Sequence, residues 1–330
     1  KGREHAPVRR HMQRMLAGIF AGIMMGMGGA SAMETIIVPE IEGDWWRVAS
    51  NPNLGAYTRK EQEPVDFAMW QAADGTWQLW SCIRHTGCGG HTRLFHRWEG
   101  QHLTDPDWKP VGIAMEAQQD LGETPGGLQA PHVIRYDGVY HMAYGDWENI
   151  CFATSHDGKT FKRVVRDTGK TGAFSEGAGA GARDPMLIRI DGRWHCYYTA
   201  NPRLEGAICC RTSPDLAQWS PSFIVCCGGR IGRNAWWAEC PHVVEVAPGE
   251  FVLFRNQFYG EGARNYAYHS RNPRNFGVDC DANRVARLPV AAPEIIWNED
   301  RCYIAALTPK LDGIRVARLR WVRRPFLGDP

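Results

Sequence analysis

Hydrophobic positions along this chain recur as pairs of short runs, with almost no helical spacing. Four segments carry the pattern in full: QAPHVIRYDGVYHMAYG, RDPMLIRIDGRWHCYYT, ECPHVVEVAPGEFVLFR and APEIIWNEDRCYIAAL. Each holds a proline, an apolar run, a turn and a second apolar run, which predicts a β-hairpin. The prolines Pro131, Pro185, Pro241 and Pro293 stand 54, 56 and 52 residues apart. A fifth copy, VDFAMWQAADGTWQLWSC, fits when Phe67 takes the proline position. A second signature follows the middle copies: ICFATSHDGKTF, ICCRTSPDLAQW and, more loosely, YAYHSRNPRNF. Each repeat therefore reads as four short strands, the blade of a propeller. Five copies predict an all-β, five-bladed β-propeller. GIRVARLRWV near the C-terminus and DWWRVAS near the start are placed to complete the closing blade. A β-sandwich is the competing all-β fold, but it leaves a repeat of this length unexplained.

The glycine run at 177–181 resembles a phosphate loop in composition but not in context. It precedes Arg183-Asp184-Pro185, an apolar run and an Asp191-Gly192 turn. A dinucleotide fingerprint needs its glycines after a strand and at the opening of a helix. Here they predict a loop that delivers Asp184 to the mouth of a strand.

Three further features change the picture. Residues 1–32 place Arg9, Arg10 and Arg14 before an uncharged stretch that ends Ala30-Ser31-Ala32, the pattern of a signal peptide. Residues 33–330 are then one propeller domain, expected in a secreted or periplasmic location with no stable membrane association after cleavage. The chain has 38 basic and 36 acidic residues, of which the leader holds five and one. The remainder is 33 against 35, so nothing points to nucleic acid or a membrane surface. Eleven cysteines include the adjacent pairs Cys209-Cys210 and Cys226-Cys227 inside apolar runs. Neighbours in a strand face opposite ways, so at least one of each pair is expected to be a buried small hydrophobe, with at most a few disulfides and no structural zinc. His85, Cys88, His91 and His96 have spacing that could hold a metal, but a hairpin turn accounts for the same residues.

In a propeller the leading ends of the innermost strands converge on a funnel. Aligned on the proline, Asp66 and Asp184 fall one position before it and Glu239 two before, while blades two and five offer Gln129-Ala130 and Ala291-Ala292. An Asp that merely opens a strand, paired with Arg183, explains one such residue. Three carboxylates at one mouth cost stability unless function requires them. The chemistry that uses such a set is glycoside hydrolysis, with one carboxyl as acid and another as base or nucleophile.

At these residues the chain resembles the five-bladed propeller glycosidases, glycoside hydrolase family 43 and its relative family 32. APHVIRYDGVYHMAYG with ICFATSHDGKTF is similar to the second blade of family 43, and RDP and ECP resemble motifs of family 32. The resemblance covers roughly residues 60–275. It implies Asp66 as the base of an inverting enzyme or the nucleophile of a retaining one, Asp184 as the residue that holds sugar and modulates pKa, and Glu239 as general acid. It further implies a carbohydrate substrate, an exo-acting inverting hydrolase of arabinofuranosyl or xylosyl residues, and no required cofactor. It admits a structural calcium ion in the channel, for which the sequence shows no oxygen-ligand motif. A retaining β-fructosidase-like hydrolase and a non-catalytic carbohydrate-binding propeller are the alternatives. The chain departs from family 43 at Phe67, where that family has proline, and lacks the Asp-bearing first motif of family 32, of which Asn51-Pro52-Asn53-Leu54-Gly55 keeps only part. Glu63 is the rival for Asp66.

Substrate contacts are expected from the loop that carries Trp236 and Trp237, one of them a platform for a sugar face. Arg183 is a candidate for a sugar-hydroxyl contact. His132 and His242 each follow a motif proline and are read either as satisfied histidines or as contacts to substrate or to a water ligand of a central cation. Trp77 and Trp194 are expected in the core; Arg84 and Arg255 are weaker candidates for a sugar-hydroxyl contact, because an arginine after a blade strand is more often a surface residue.

Overall fold

The computed structural model describes residues 35–326; the stretch 1–32 read as a signal peptide lies outside the described residues. Among the described residues the strands form five sheets of four or five strands each. The innermost strands of blades one to five are Glu63–Gln71, Gln129–Tyr136, Arg183–Ile190, Glu239–Ala247 and Glu294–Asn298. Each contacts the next, and the fifth contacts the first, which closes the ring around a channel. Asp137-Gly138 and Asp191-Gly192 make two-residue hairpin turns with positive φ at both positions, as type I′ turns require.

The ring is shut by strand exchange between the two ends of the propeller. Thr35–Ser50 pairs antiparallel with Gly313–Pro325 along nearly its whole length, as the outer strand of blade five. Successive residues of each blade face opposite neighbours, so the hydrophobic clusters lie between blades. Cys209 and Cys227 pack in the cluster between blades two and three, Cys210 and Cys226 in the one between blades three and four. None of the eleven cysteines is bridged. Trp77 and Trp194 are buried as expected.

One backbone device recurs around the channel. In blades one to four the register between the first and second strands slips by one residue at Val65/Phe67, Gln129/His132, Arg183/Met186 and Glu239/His242. The residue before the motif proline, or before Phe67, sits in the left-handed region in every blade: Asp66 (φ 36°), Ala130 (41°), Asp184 (54°), Cys240 (48°) and Ala292 (45°). Proline disfavours right-handed helical geometry in the residue before it, and a bulge accommodates the left-handed alternative. The conformation costs a non-glycine residue roughly 1–2 kcal/mol, less for Asp, whose short polar side chain bonds locally. The five seats are therefore equivalent, and Cys240 occupies the fourth. Glu239, two positions before its proline, does not share the seat of Asp66 and Asp184 but is one residue earlier, level with Arg183.

One step beyond the prolines lies a second ring: Ala68, His132, Met186, His242 and Glu294. His132 Nδ1 accepts from the Leu187 N–H (3.2 Å), and His242 Nε2 accepts from the Ile295 N–H (3.3 Å). Both donors stand two residues after the next blade's proline. These histidines stitch blade two to three and blade four to five.

Candidate active site

The channel mouth opens into a cavity of about 390 Å³, and Asp66, Asp184 and Glu239 all line it. Asp184 is fixed by the Thr199 hydroxyl, which donates to Oδ2 (2.8 Å), and by the Cys240 N–H (3.2 Å). The second bond crosses from blade four to blade three, so the bulge that strains Cys240 also aims its amide at the carboxylate. Asp66 Oδ1 lies 3.2 Å from Cys240 Sγ and 3.3 Å from the Tyr259 hydroxyl. Burial raises the Cys240 thiol well above its ordinary value, so it stays protonated and donates to Asp66. Burial, then the charge of Asp184, pushes Asp66 above the usual carboxylate range, opposed by Cys240, Arg93 and Arg84.

Glu239 is set up differently. Arg183 donates to its Oε1 twice, from Nε (3.1 Å) and a terminal nitrogen (2.8 Å). Its second oxygen is left to carry a proton. Burial pushes Glu239 up to about 7, and Asp184 and Asp66 add to this against the pull of Arg183. A carboxyl that holds its proton near neutral pH is what a general acid needs.

Of the expected contact residues, Arg183 and Trp236 line the cavity. Arg183 also bonds the Gly181 and Ala235 carbonyls and lies over the Trp236 ring at 5.2 Å. Four of its five N–H donors are thereby engaged, so it chiefly positions Glu239. Trp236 is 61% exposed, a platform at the rim. Trp237 turns away, edge-on to Phe258, and His132 and His242 lie below the cavity in their inter-blade bonds. Glu63 pairs with Arg84 at 2.7 Å and does not line the cavity.

The two weaker candidates, Arg84 and Arg255, part ways, and neither is the surface residue that argued against it. Arg84 lines the cavity; Arg255 is 1% exposed and bonds the Trp237, Gly228 and Gly232 carbonyls, holding the loop that ends at Glu239. Arg93, Trp147, Glu148, Asn201 and Tyr259 complete the wall and were not foreseen. A signal for most of them exists. The second strand of a blade runs antiparallel to the first, so its end returns to the same mouth, and Arg84, Trp147, Asn201 and Tyr259 all stand there.

His85, Cys88, His91 and His96 form no shared metal cluster among the described residues. His91 stacks on Trp147 and His96 packs on Trp98. A group that does converge is His132, His242 and Glu294, with ligand atoms within 4.8 Å of one another. Each ring accepts from a backbone amide at one nitrogen, so in its neutral form it presents N–H at the other. Burial holds His132 down to about 4. Calcium takes six to eight oxygens; these residues offer one carboxylate and two N–H groups, and they do not fit it.

No protein-family model matches the sequence. The chain is similar to a probable sucrose-6-phosphate hydrolase of Vibrio cholerae, 26% identical over 172 residues, which are 49% of this chain and 28% of that protein. A sucrose-6-phosphate hydrolase of Klebsiella pneumoniae is 21% identical over 192 residues, covering 54% of this chain and 38% of that protein. The matched stretch thus spans well under half the length of these relatives. Among solved structures, a thermostable family-43 glycoside hydrolase superposes with TM-score 0.60 at 17% identity, covering 82% of this chain and 91% of that one. The catalytic domain of the Coprinopsis cinerea GH62 α-L-arabinofuranosidase gives 0.57 at 12% identity, with 83% and 97% covered. The Bombyx mori GH32 β-fructofuranosidase gives 0.57 at 14%, with 83% and 62% covered. The chain has the five-bladed propeller fold these proteins share.

Proposed function

We propose that this chain is a glycoside hydrolase that removes a terminal sugar, with Glu239 as general acid, Asp66 as base and Asp184 as the residue that holds the sugar and tunes its neighbours. The observation that carries this reading is Glu239, buried, raised to about 7 and held through one oxygen only, in the same cavity as Asp66 and Asp184. Its free oxygen gives a proton to the leaving glycosidic oxygen as the bond to the anomeric carbon breaks. Asp66 takes a proton from the water that attacks that carbon. Protons and nucleophile come from carboxylates and water, so the reaction asks for no organic cofactor. A cavity of about 390 Å³ sits near the lower end of the roughly 300–1,000 Å³ usual for ligand sites. That size suits the end of a glycan, and with the arabinofuranosidase-like fold it favours arabinofuranosyl or xylosyl substrates. The leader-like residues 1–32 favour action outside the cytoplasm, where polysaccharide is met.

A second reading has specific support. The curated relatives are named sucrose-6-phosphate hydrolases, and Arg183-Asp184-Pro185 and Glu239-Cys240-Pro241 both stand in the site. On that reading Asp66 attacks the anomeric carbon itself, and the product is a fructofuranose with retained configuration. A proton-NMR time course on arabinan, xylan, fructan and galactan oligosaccharides, with Glu239→Gln beside wild type, decides. Sugar released by wild type alone supports the hydrolase, and the first anomer to appear assigns inversion or retention. Glycan bound by both proteins and cut by neither would replace the enzyme with a carbohydrate-binding propeller.

A further inference from the structure

Three arginines face the cavity, and two of them are spoken for. Arg84 is paired with Glu63 and Arg183 with Glu239. Arg93 makes no side-chain hydrogen bond or ion pair among the described residues; its guanidinium lies 5.0 Å from the centre of the Trp147 ring.

The surroundings hold this group in place. The Arg93 backbone is pinned at the seam of blades one and two, its N–H donating to the Gly126 carbonyl (2.9 Å). Trp147 is held at φ 87°, a strained value for a bulky residue. The turn that imposes this angle is tied by buried Asp146, whose Oδ1 accepts from the Glu148 and Asn149 amides. His91 stacks on Trp147 at 3.7 Å. Strain at a residue that faces a cavity is retained where the placement has a use. Here it sets an aromatic plate under a guanidinium and leaves the nitrogen fork without a partner.

We infer that Arg93 is the anchor for an anionic substituent on the sugar, a carboxylate or a phosphate monoester, and that it makes this site selective for charged over neutral glycans. A guanidinium fork matches both groups in bidentate geometry, whereas a neutral hydroxyl leaves its charge uncompensated. The aromatic plate fixes the plane of the fork in advance, which lowers the ordering cost of binding. Asp66 is close enough to feel the charge of Arg93, so a substituent held there lies beside the reacting carboxylates. The inference rests on this cavity being the sugar site proposed above.

The test is calorimetric titration of wild-type protein and Arg93→Gln with monosaccharide pairs: xylose against glucuronate, glucose against glucose 6-phosphate, and fructose against fructose 6-phosphate. Wild type should bind the charged member of at least one pair about tenfold or more tightly, the worth of one bidentate charged contact. Arg93→Gln should erase that advantage, and Arg93→Lys, which keeps the charge without the fork, should keep only part of it. Which pair responds tells carboxylate from phosphate. Equal binding within every pair, no binding at all, or a preference that survives Arg93→Gln overturns the inference. Because these sugars bind without turnover, a preference seen in a protein that cleaves no glycan would retire the hydrolase and leave the anion site standing.

Discussion

Replacing Glu239 by Gln should abolish activity and, at neutral pH, stabilise the fold. Glu239 is displaced from an ordinary value of 4.5 to about 7, with burial the largest cause. Between those values the unfolded chain has released this proton and the folded chain still holds it, so the folded state binds more protons and wild-type stability falls as pH rises. The contribution is complete below 4.5 and lost as pH passes about 7. At about 1.36 kcal/mol per pH unit, the loss comes to roughly 3 kcal/mol. Glutamine keeps an oxygen for the two Arg183 donors and has no proton to lose. Guanidinium denaturation followed by tryptophan fluorescence, at intervals from pH 4 to 8.5, should find the two proteins close at pH 4. They should separate progressively until Glu239→Gln leads by up to roughly 3 kcal/mol above pH 7. A constant gap across the range, or a wild type that is the more stable at pH 8, would refute the claim that this carboxyl is held protonated against solvent.

The same group should set the alkaline limb of the activity profile, so kcat/KM should decline above pH about 7 as Glu239 ionises; a profile flat to pH 9 would remove it as the acid. Cys240→Ala deletes the S–H that opposes the rise of Asp66, so the acid limb should move to higher pH with the fold intact, read from kcat/KM between pH 3 and 7. Tyr259→Phe removes the other donor to Asp66 and should cost about tenfold in kcat, a loss near the usual 0.5–1.5 kcal/mol of one hydrogen bond; unchanged kcat would put Tyr259 outside the reaction. His242→Ala should instead lower thermal stability by about 1–3 kcal/mol, by orphaning the Ile295 amide, while kcat/KM of the folded protein holds.

The pattern of the chain disclosed its architecture because each blade repeats the same local physics: a proline, two apolar runs and a turn with glycine or aspartate where φ must be positive. Asp66, Asp184 and Glu239 were legible as a convergent set for the same reason. The relation among them was not. Counting back from the proline does reach Cys240, the seat equivalent to Asp66 and Asp184, but a thiol there is not a carboxylate and the count does not show that its S–H and amide reach Asp66 and Asp184. Arg255 reads as a surface residue because its burial depends on three carbonyls of a distant loop. Arg93 and Trp147 lie on connections outside the repeat, where no periodic signal reports which way a side chain turns.

The union of Thr35–Ser50 with Gly313–Pro325 dictates an order of events in the cell. The first strand of the propeller to leave the ribosome is the last to find a partner, since 278 residues separate its start from that of the closing strand. At about 5–20 residues per second, it waits roughly 15–55 s. Throughout that interval a stretch containing Ile36, Ile37, Val38, Ile41, Trp45 and Trp46 has an unsatisfied edge, and the stack of finished blades stays an open arc with apolar flanks. The closing strand is thus the latch of the whole molecule. A chain that stops short of Gly313 would carry Asp66, Asp184 and Glu239 but leave Thr35–Ser50 without its partner strand.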